Sequence, residues 1–295
     1  MSVRFCGLEL AHPIINASGT FDAIAAERVF GAALHANFPF AAFVSKTVTL
    51  APRQGNPPPR LWELAGGMIN SIGLPNKGLH GYIEHDLPKL AALAVPLIVN
   101  VMGSTHDEIA ELVGAFAQQP EVAALELNVS CPNVKTGLMF GAVPAEIEAI
   151  VQRVRPLTRK PLIVKLTPNA TDVAAVALAA QEAGADAVSL INTIRGMALH
   201  PRTGEAWLGG VTGGISGPGI RAAALAQVHA VRSAVEIPIV GMGGVQSGRD
   251  ALDLMQVGAD LVAVGTESFR DPAAAARIAA EVTAPGVGAS RATPV

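Results

Sequence analysis

Short apolar runs recur along this chain and alternate with longer segments whose apolar positions repeat at helical spacing. The runs at 13–17, 40–45, 97–101, 124–128, 162–165, 187–192, 239–241 and 261–265 predict eight buried strands. Between them lie clear helix signals. The segment 105–118 opens with Thr105 and Asp107, 144–154 begins at a proline, and 172–183 starts at Asp172 and stops before Gly184. Asp271-Pro272 opens a last Ala-rich helix. Eight strands alternating with helices predict an α/β protein, a (β/α)8 TIM barrel with inserted loops or hairpins over the C-terminal mouth. In such barrels the chemistry sits where the strands end.

Composition fits this architecture. Of 295 residues half are hydrophobic but only 4% are aromatic, which suits buried strands wrapped in Ala-rich helices. The length predicts one barrel across 1–283, followed by a flexible tail over 284–295 rich in Ala, Gly and Pro. A net charge of −3 leaves no electrostatic footprint for nucleic acid or an anionic membrane, so any anion is bound locally. The N-terminus lacks a signal-peptide core, and the apolar stretch 90–102 is interrupted by Pro96 and Asn100, so the expected location is the cytoplasm. The only cysteines are Cys6 and Cys131, too few for a disulfide framework, a zinc cluster or an iron–sulfur cluster.

The residues at the predicted strand ends carry the chemistry. Ser18, Lys46, Asn100, Asn128, Lys165 and Asn192 follow the first six runs. Any one of them could be a turn former, but amides and lysines at successive strand ends would converge on one pocket. The asparagines alone offer donors and acceptors to a planar, imide-like ligand. Gly243-Gly244 and Gly265-Thr266 follow the seventh and eighth runs, where barrels bind phosphate through backbone N–H groups. A phosphosugar or a phosphate-bearing cofactor such as FMN fits that cradle. Two long connections, 52–60 with 70–76 and 196–216, are expected over the mouth, the second as a hairpin. Gly217-Pro218-Gly219-Ile220-Arg221-Ala222 formally matches a dinucleotide fingerprint, but it follows no strand and contains a proline.

The run Asn128-Val129-Ser130-Cys131-Pro132-Asn133-Val134-Lys135 is the most informative. A lone cysteine is more often an inert, buried small hydrophobe. Here a strand ends in an amide and a proline-marked loop then presents a thiol between further amides. That placement suits a proton-abstracting group beside a small polar ring.

These motifs resemble the soluble, class 1 dihydroorotate dehydrogenases across nearly the whole chain. The Asn128–Lys135 run is similar to that family's active-site loop, and Asn70-Ser71-Ile72-Gly73-Leu74-Pro75-Asn76 to its substrate loop. Pro52 to Arg60 is another shared signature, and Gly241-Met242-Gly243-Gly244 with Val264-Gly265-Thr266 resembles its FMN phosphate site. Asn133-Val134-Lys135 with Gly137, and the segments Ile191 to Met197 and Thr212 to Pro218, resemble the NAD-linked, type B catalytic subunits.

The resemblance implies oxidation of dihydroorotate to orotate in pyrimidine (UMP) biosynthesis, with Cys131 as the base and FMN as hydride acceptor. It implies substrate contacts from Lys46, Asn70, Ser71, Ile72, Gly73, Leu74, Asn128, Asn133, Asn192 and Thr193. The implied FMN contacts are Ser18, Lys46, Thr47, Asn100, Asn128, Lys165, Ile191, Gly217, Gly243, Gly244, Gly265 and Thr266, with Lys165 at the N1/O2 edge of the ring. No metal site is expected. The implied assembly is a homodimer of this chain with an iron–sulfur subunit carrying FAD and a [2Fe-2S] cluster, together a heterotetramer that reduces NAD. A partner-free, fumarate-coupled enzyme, a dihydropyrimidine dehydrogenase-like module and a non-catalytic flavin-binding barrel are the rivals. Two positions depart from the family pattern: Phe21-Asp22-Ala23 after the first strand, and Glu267, whose carboxylate would have to point away from a phosphate.

Overall fold

The computed structural model describes residues 2–130 and 140–284. Among them, eight parallel strands form one curved sheet: β1 (Ile14–Asn16), β2 (Phe43–Val44), β3 (Leu97–Val101), β4 (Val122–Asn128), β5 (Leu162–Lys165), β6 (Ala187–Leu190), β7 (Ile239–Met242) and β8 (Leu261–Val264). Neighbours in sequence are neighbours in the sheet, and β8 pairs with β1, so the predicted TIM barrel is the observed fold. All eight predicted strands are present. The second is shorter than expected, two residues instead of 40–45, and the sixth ends at Leu190 rather than at Asn192.

The helices predicted at 105–118, 144–154 and 172–183 appear as His106–Ala117, Pro144–Val154 and Val173–Glu182. Thr105 and Asp172 cap the first and third, accepting the N–H of Glu108 at 3.1 Å and of Ala175 at 3.0 Å. Ile109, Leu112, Val113 and Phe116 repeat at three- and four-residue spacing and are buried, so one stripe of that helix faces the sheet. No described helix is long and apolar enough to cross a membrane.

The barrel interior has two ends of different character. At the amino-terminal end, Ile98, Ala124, Ile163, Ala187, Val240 and Leu261 pack against Phe5 and Leu10. Those two residues come from an antiparallel hairpin, Val3–Phe5 with Leu8–Leu10, which plugs this end. The inward positions nearer the carboxyl ends are polar instead.

β1 and β2 are not joined by a regular ladder. The Asn16 side chain takes its place: its Oδ1 accepts the Val44 N–H and its Nδ2 donates to the Val44 carbonyl, both at 2.7 Å. A backbone bond from Ala41 to the Ile14 carbonyl, 3.0 Å, completes the seam. Asn16 is fully buried, so nothing else can satisfy these groups.

Two insertions meet over the carboxyl-terminal mouth. The segment after β6 forms the expected hairpin, with strands Ile194–Gly196 and Gly213–Ser216. A second hairpin, Leu61–Leu64 with Gly67–Asn70, was not anticipated and lies between the two predicted loop stretches. Its short strands are half exposed and lack the continuous apolar run of a buried strand. The two hairpins join through Ile215 opposite Ile69, giving a four-stranded antiparallel roof. Gly67 is required here, because a Cβ would stand 2.0 Å from the Ser216 carbonyl oxygen.

Replacing Asn16 by Ala strands two buried backbone groups of Val44. A loss of about 3 kcal/mol in unfolding free energy is expected from urea titration of the purified variant.

Candidate active site

A cavity of about 940 Å³ opens where the barrel strands end, beneath the four-stranded roof. That is near the top of the range of roughly 300–1,000 Å³ typical of ligand pockets, enough for a cofactor and a small ring together. Most of the predicted residues line it: Ser18, Lys46, Thr47, Asn70, Ile72, Gly73, Leu74, Asn128, Lys165, Ile191, Asn192, Thr193, Gly217, Gly243, Gly244, Gly265 and Thr266. Cys131 and Asn133 lie outside the described residues. The preceding Ser130 does line the cavity.

Two predicted residues stand behind the wall. Ser71 is buried and accepts a hydrogen bond from Asn56 Nδ2 at 2.8 Å. Asn100 is fully buried, with Nδ2 donating to Glu126 and Oδ1 without a protein partner among the described residues.

The polar side chains are set by one another. Asn128 holds the Ser130 N–H on Oδ1 at 3.3 Å and reaches Thr47 Oγ1 at 3.4 Å through Nδ2. Asn192 donates to Ser130 Oγ at 2.9 Å, so the amides at the ends of β4 and β6 grip the residue that leads into Cys131. Asn70 is anchored to the Gly214 carbonyl at 3.2 Å across the roof. Lys165 is paired in register with Asn128 and Ser189, facing the barrel interior. It is buried, with no hydrogen bond or carboxylate partner among the described residues, so the cavity is where its charge can be met. Lys46 opens onto the cavity, and desolvation by the surrounding walls lowers its pKa. Asp22 opposes this lowering and Arg60 adds to it.

The two departures have structural reasons. Asp22 caps the helix Ala23–Phe30, accepting the Ala25 N–H at 3.0 Å. Phe21 packs edge-on against Phe40 at 5.1 Å. Ser18 keeps its place on the cavity wall, donating to the Ser45 carbonyl at 2.8 Å. Glu267 does line the cavity, but its carboxylate is engaged by Gln246 Nε2 at 2.8 Å and Arg270 at 3.6 Å. Cys6, the other thiol, sits at the opposite end of the barrel, against the Asp186 carbonyl. Burial, with Asp186 and Asp260 adding to it, pushes its pKa up to about 12, so it stays a neutral thiol.

Sequence reasoning did not assign Arg53, Gln54, Asn56, Met68, Gln246 and Phe269, which also line the cavity. Arg53, Gln54 and Asn56 come from a connection already suspected of covering the mouth, whereas Met68, Gln246 and Phe269 do not. It also missed Glu126, a buried carboxylate in β4, whose one signal is a charge inside the apolar run Leu125-Glu126-Leu127.

The sequence pattern of dihydroorotate dehydrogenases matches residues 1–285. The chain belongs to the dihydroorotate dehydrogenase family. It is 46% identical over 287 residues to the "Dihydroorotate dehydrogenase B (NAD(+)), catalytic subunit" of Pelobacter propionicus, covering 95% of this chain and 91% of that protein. The subunit of the same name from Desulforudis audaxviator is 47% identical over 285 residues, covering 95% and 91%. The crystal structure of the Eimeria tenella enzyme in complex with ferulenol superposes with a TM-score of 0.78 at 25% identity, covering 95% of this chain and 83% of that one.

Dihydroorotate dehydrogenases are FMN-dependent. The cavity fits that group. The backbone N–H groups of Gly244, Val245 and Thr266 make no hydrogen bond to protein among the described residues, and all three residues line one end of the cavity. Such a set of unmet donors suits a phosphate. Gly244 has φ +74° and no room for a side chain: a Cβ would meet the Arg221 Cβ at 2.7 Å. Gly217, beside it, has φ +96°, and its Cβ would stand 2.7 Å from Gly67. Arg221 is itself committed to Asp250 and Asp253.

Gly244→Ala is therefore expected to displace the donor loop. FMN affinity, followed by quenching of flavin fluorescence on titration of the apoprotein, should fall at least about tenfold, a backbone shift having cost more than one charge-assisted hydrogen bond.

Proposed function

We propose that this chain oxidises dihydroorotate to orotate as the catalytic subunit of an NAD-linked dihydroorotate dehydrogenase serving pyrimidine biosynthesis. The observation that carries this reading is the meeting of Asn70, Asn128, Asn192, Lys46 and Lys165 in one cavity whose far end is a glycine cradle for phosphate. Three amides can satisfy the alternating donors and acceptors of an imide ring. Lys46, at the open side, supplies a cation for the ring carboxylate, with the Asn70–Leu74 segment beside it.

Cys131 is the base that takes the proton from C5 of dihydroorotate. Asn128 and Asn192 grip Ser130, so they fix the chain entering the thiol's segment rather than the reacting atoms. A thiol takes up a proton only as its thiolate, so the rate should climb with pH. The glycine cradle with Ser18, Thr47 and Lys165 would hold FMN, which would supply the two-electron acceptor that this oxidation needs. Lys165 would bring its cation to the flavin ring, where positive charge favours the reduced form. The roof over the cavity limits water at the reacting face.

The chain has two cysteines and so no ligand set for an iron–sulfur relay of its own. We therefore assign the onward path to a separate subunit bearing FAD and a [2Fe-2S] cluster, which passes electrons to NAD. A homodimer of this chain with two such subunits is the proposed assembly, in the cytoplasm.

Anaerobic dihydroorotate should bleach the FMN absorbance of the purified chain, while fumarate fails to restore the yellow colour. NAD should restore it only with the iron–sulfur subunit present. Rapid reduction of NAD or fumarate by the chain alone would overturn the partner assignment, and no bleaching would overturn the activity. Cys131→Ser should keep FMN bound but slow bleaching at pH 7 by about 100-fold or more, the range lost with a general base, and stopped-flow absorbance reads it directly.

A further inference from the structure

Glu126 is a buried ionisable group that the reaction above does not use. It is 4% exposed, in the middle of β4. Its Oε1 accepts from Ser189 Oγ at 2.6 Å and its Oε2 accepts from Asn100 Nδ2. Two donors, one on each oxygen, suit an ionised carboxylate. The ladder registers place it. Asn100 is opposite Glu126, and Lys165 is opposite both Asn128 and Ser189, so all five side chains face the barrel interior. The Glu126–Ser189 bond joins the two strands that flank β5, and β5 ends in Lys165. A fixed anion thus lies in the layer below the lysine, with its two oxygens meeting Ser189 and Asn100 rather than Lys165 among the described residues. Neither charge is screened by bulk water, since Lys165 is itself 5% exposed.

We propose that Glu126 is a positioning residue that tunes the flavin. Its charge, acting through the barrel interior, offsets part of the attraction that Lys165 exerts on electrons arriving at the ring. It also locks the amide of Asn100 with Nδ2 toward the carboxylate. This inference rests on the FMN-and-Lys165 reading given above. It answers a demand of that reading: NAD is a weak oxidant, so a flavin feeding it must not hold electrons too tightly. A lone buried lysine would make the reduced flavin too stable to pass them on, and a carboxylate one layer below corrects this.

The test is Glu126→Gln, which removes the charge and keeps the shape. The fold should tolerate it. Asn100 can turn its amide so that the unpartnered Oδ1 accepts from the new side-chain N–H, and the Ser189 hydroxyl still has an oxygen to meet. With FMN bound, the midpoint potential should move upward. Sulfite, which adds to oxidised flavin and leaves negative charge on the ring, should bind about tenfold more tightly, as expected for one charge removed several ångströms away at intermediate dielectric. The melting temperature and apoprotein circular dichroism report folding independently of the flavin. Glu126→Asp keeps the charge and Ser189→Ala removes one hydrogen bond without changing charge, so both should leave potential and sulfite affinity near wild type. An unmoved potential in Glu126→Gln, or an equal shift in either control, would refute the proposal. A wild-type chain that takes no FMN, or whose FMN is not bleached by dihydroorotate, would instead remove the reading beneath it.

Discussion

A parallel barrel presents a site only if its sheet closes, and here closure depends on one amide. β2 contributes two residues, too few for a ladder on both sides. Asn16 replaces the missing backbone pairing with a side chain that donates and accepts in the same way a strand would. Everything above the seam follows from it. Ser18 and Lys46 reach the same cavity because β1 and β2 are held edge to edge, and Ser18 bonds to the Ser45 carbonyl just past the seam. Sequence reasoning did not single out this amide, which lies inside the apolar run 13–17. Its burial shows that it is part of the wall.

The strands were legible because a parallel sheet buried on both faces writes itself as continuous apolar runs. The cavity residues Ser18, Lys46, Asn128, Lys165 and Asn192 were legible for the same reason: they are polar residues standing where a run ends. What escaped is explained by the opposite pattern. Leu61 to Leu64 alternates exposed and half-buried residues, Gly67 serves close packing, and Ile69 alone in the hairpin is fully buried, so no continuous apolar run marks it as core. Glu126 hid inside a run that otherwise reads as strand interior. Asn100 was read as a cavity residue because it stands near the end of β3, but it is turned toward Glu126 one layer down. Position along the strand predicts which layer a side chain belongs to only when the strand's exact end is known, and ends are the hardest part to read.

Charge in the cavity is arranged by sharing rather than by abundance. Lys46, Arg53 and Lys165 line it, and Glu267 stands at the phosphate end. Glu267 is coupled to Gln246 and Arg270, which leaves the unmet donors of Gly244, Val245 and Thr266 to dominate there. Phosphate recognition by backbone N–H groups needs no formal positive charge, which is consistent with a chain whose net charge is −3.

The roof over the mouth has a consequence for how the protein is made. Asn70 bonds to the carbonyl of Gly214, 144 positions further along the chain, and the barrel strands β3 to β6 lie between them in sequence. Bringing such distant segments together early would cost loop entropy with little gained in return. Barrel strands from β2 to β8 pair with their sequence neighbours, but the pair that closes the sheet, β8 with β1, joins Val262 to Ile14 and spans still more of the chain than the roof does. The cavity is consequently shaped late, once two long-range meetings are made: the roof across its mouth and the strand pair that closes its wall.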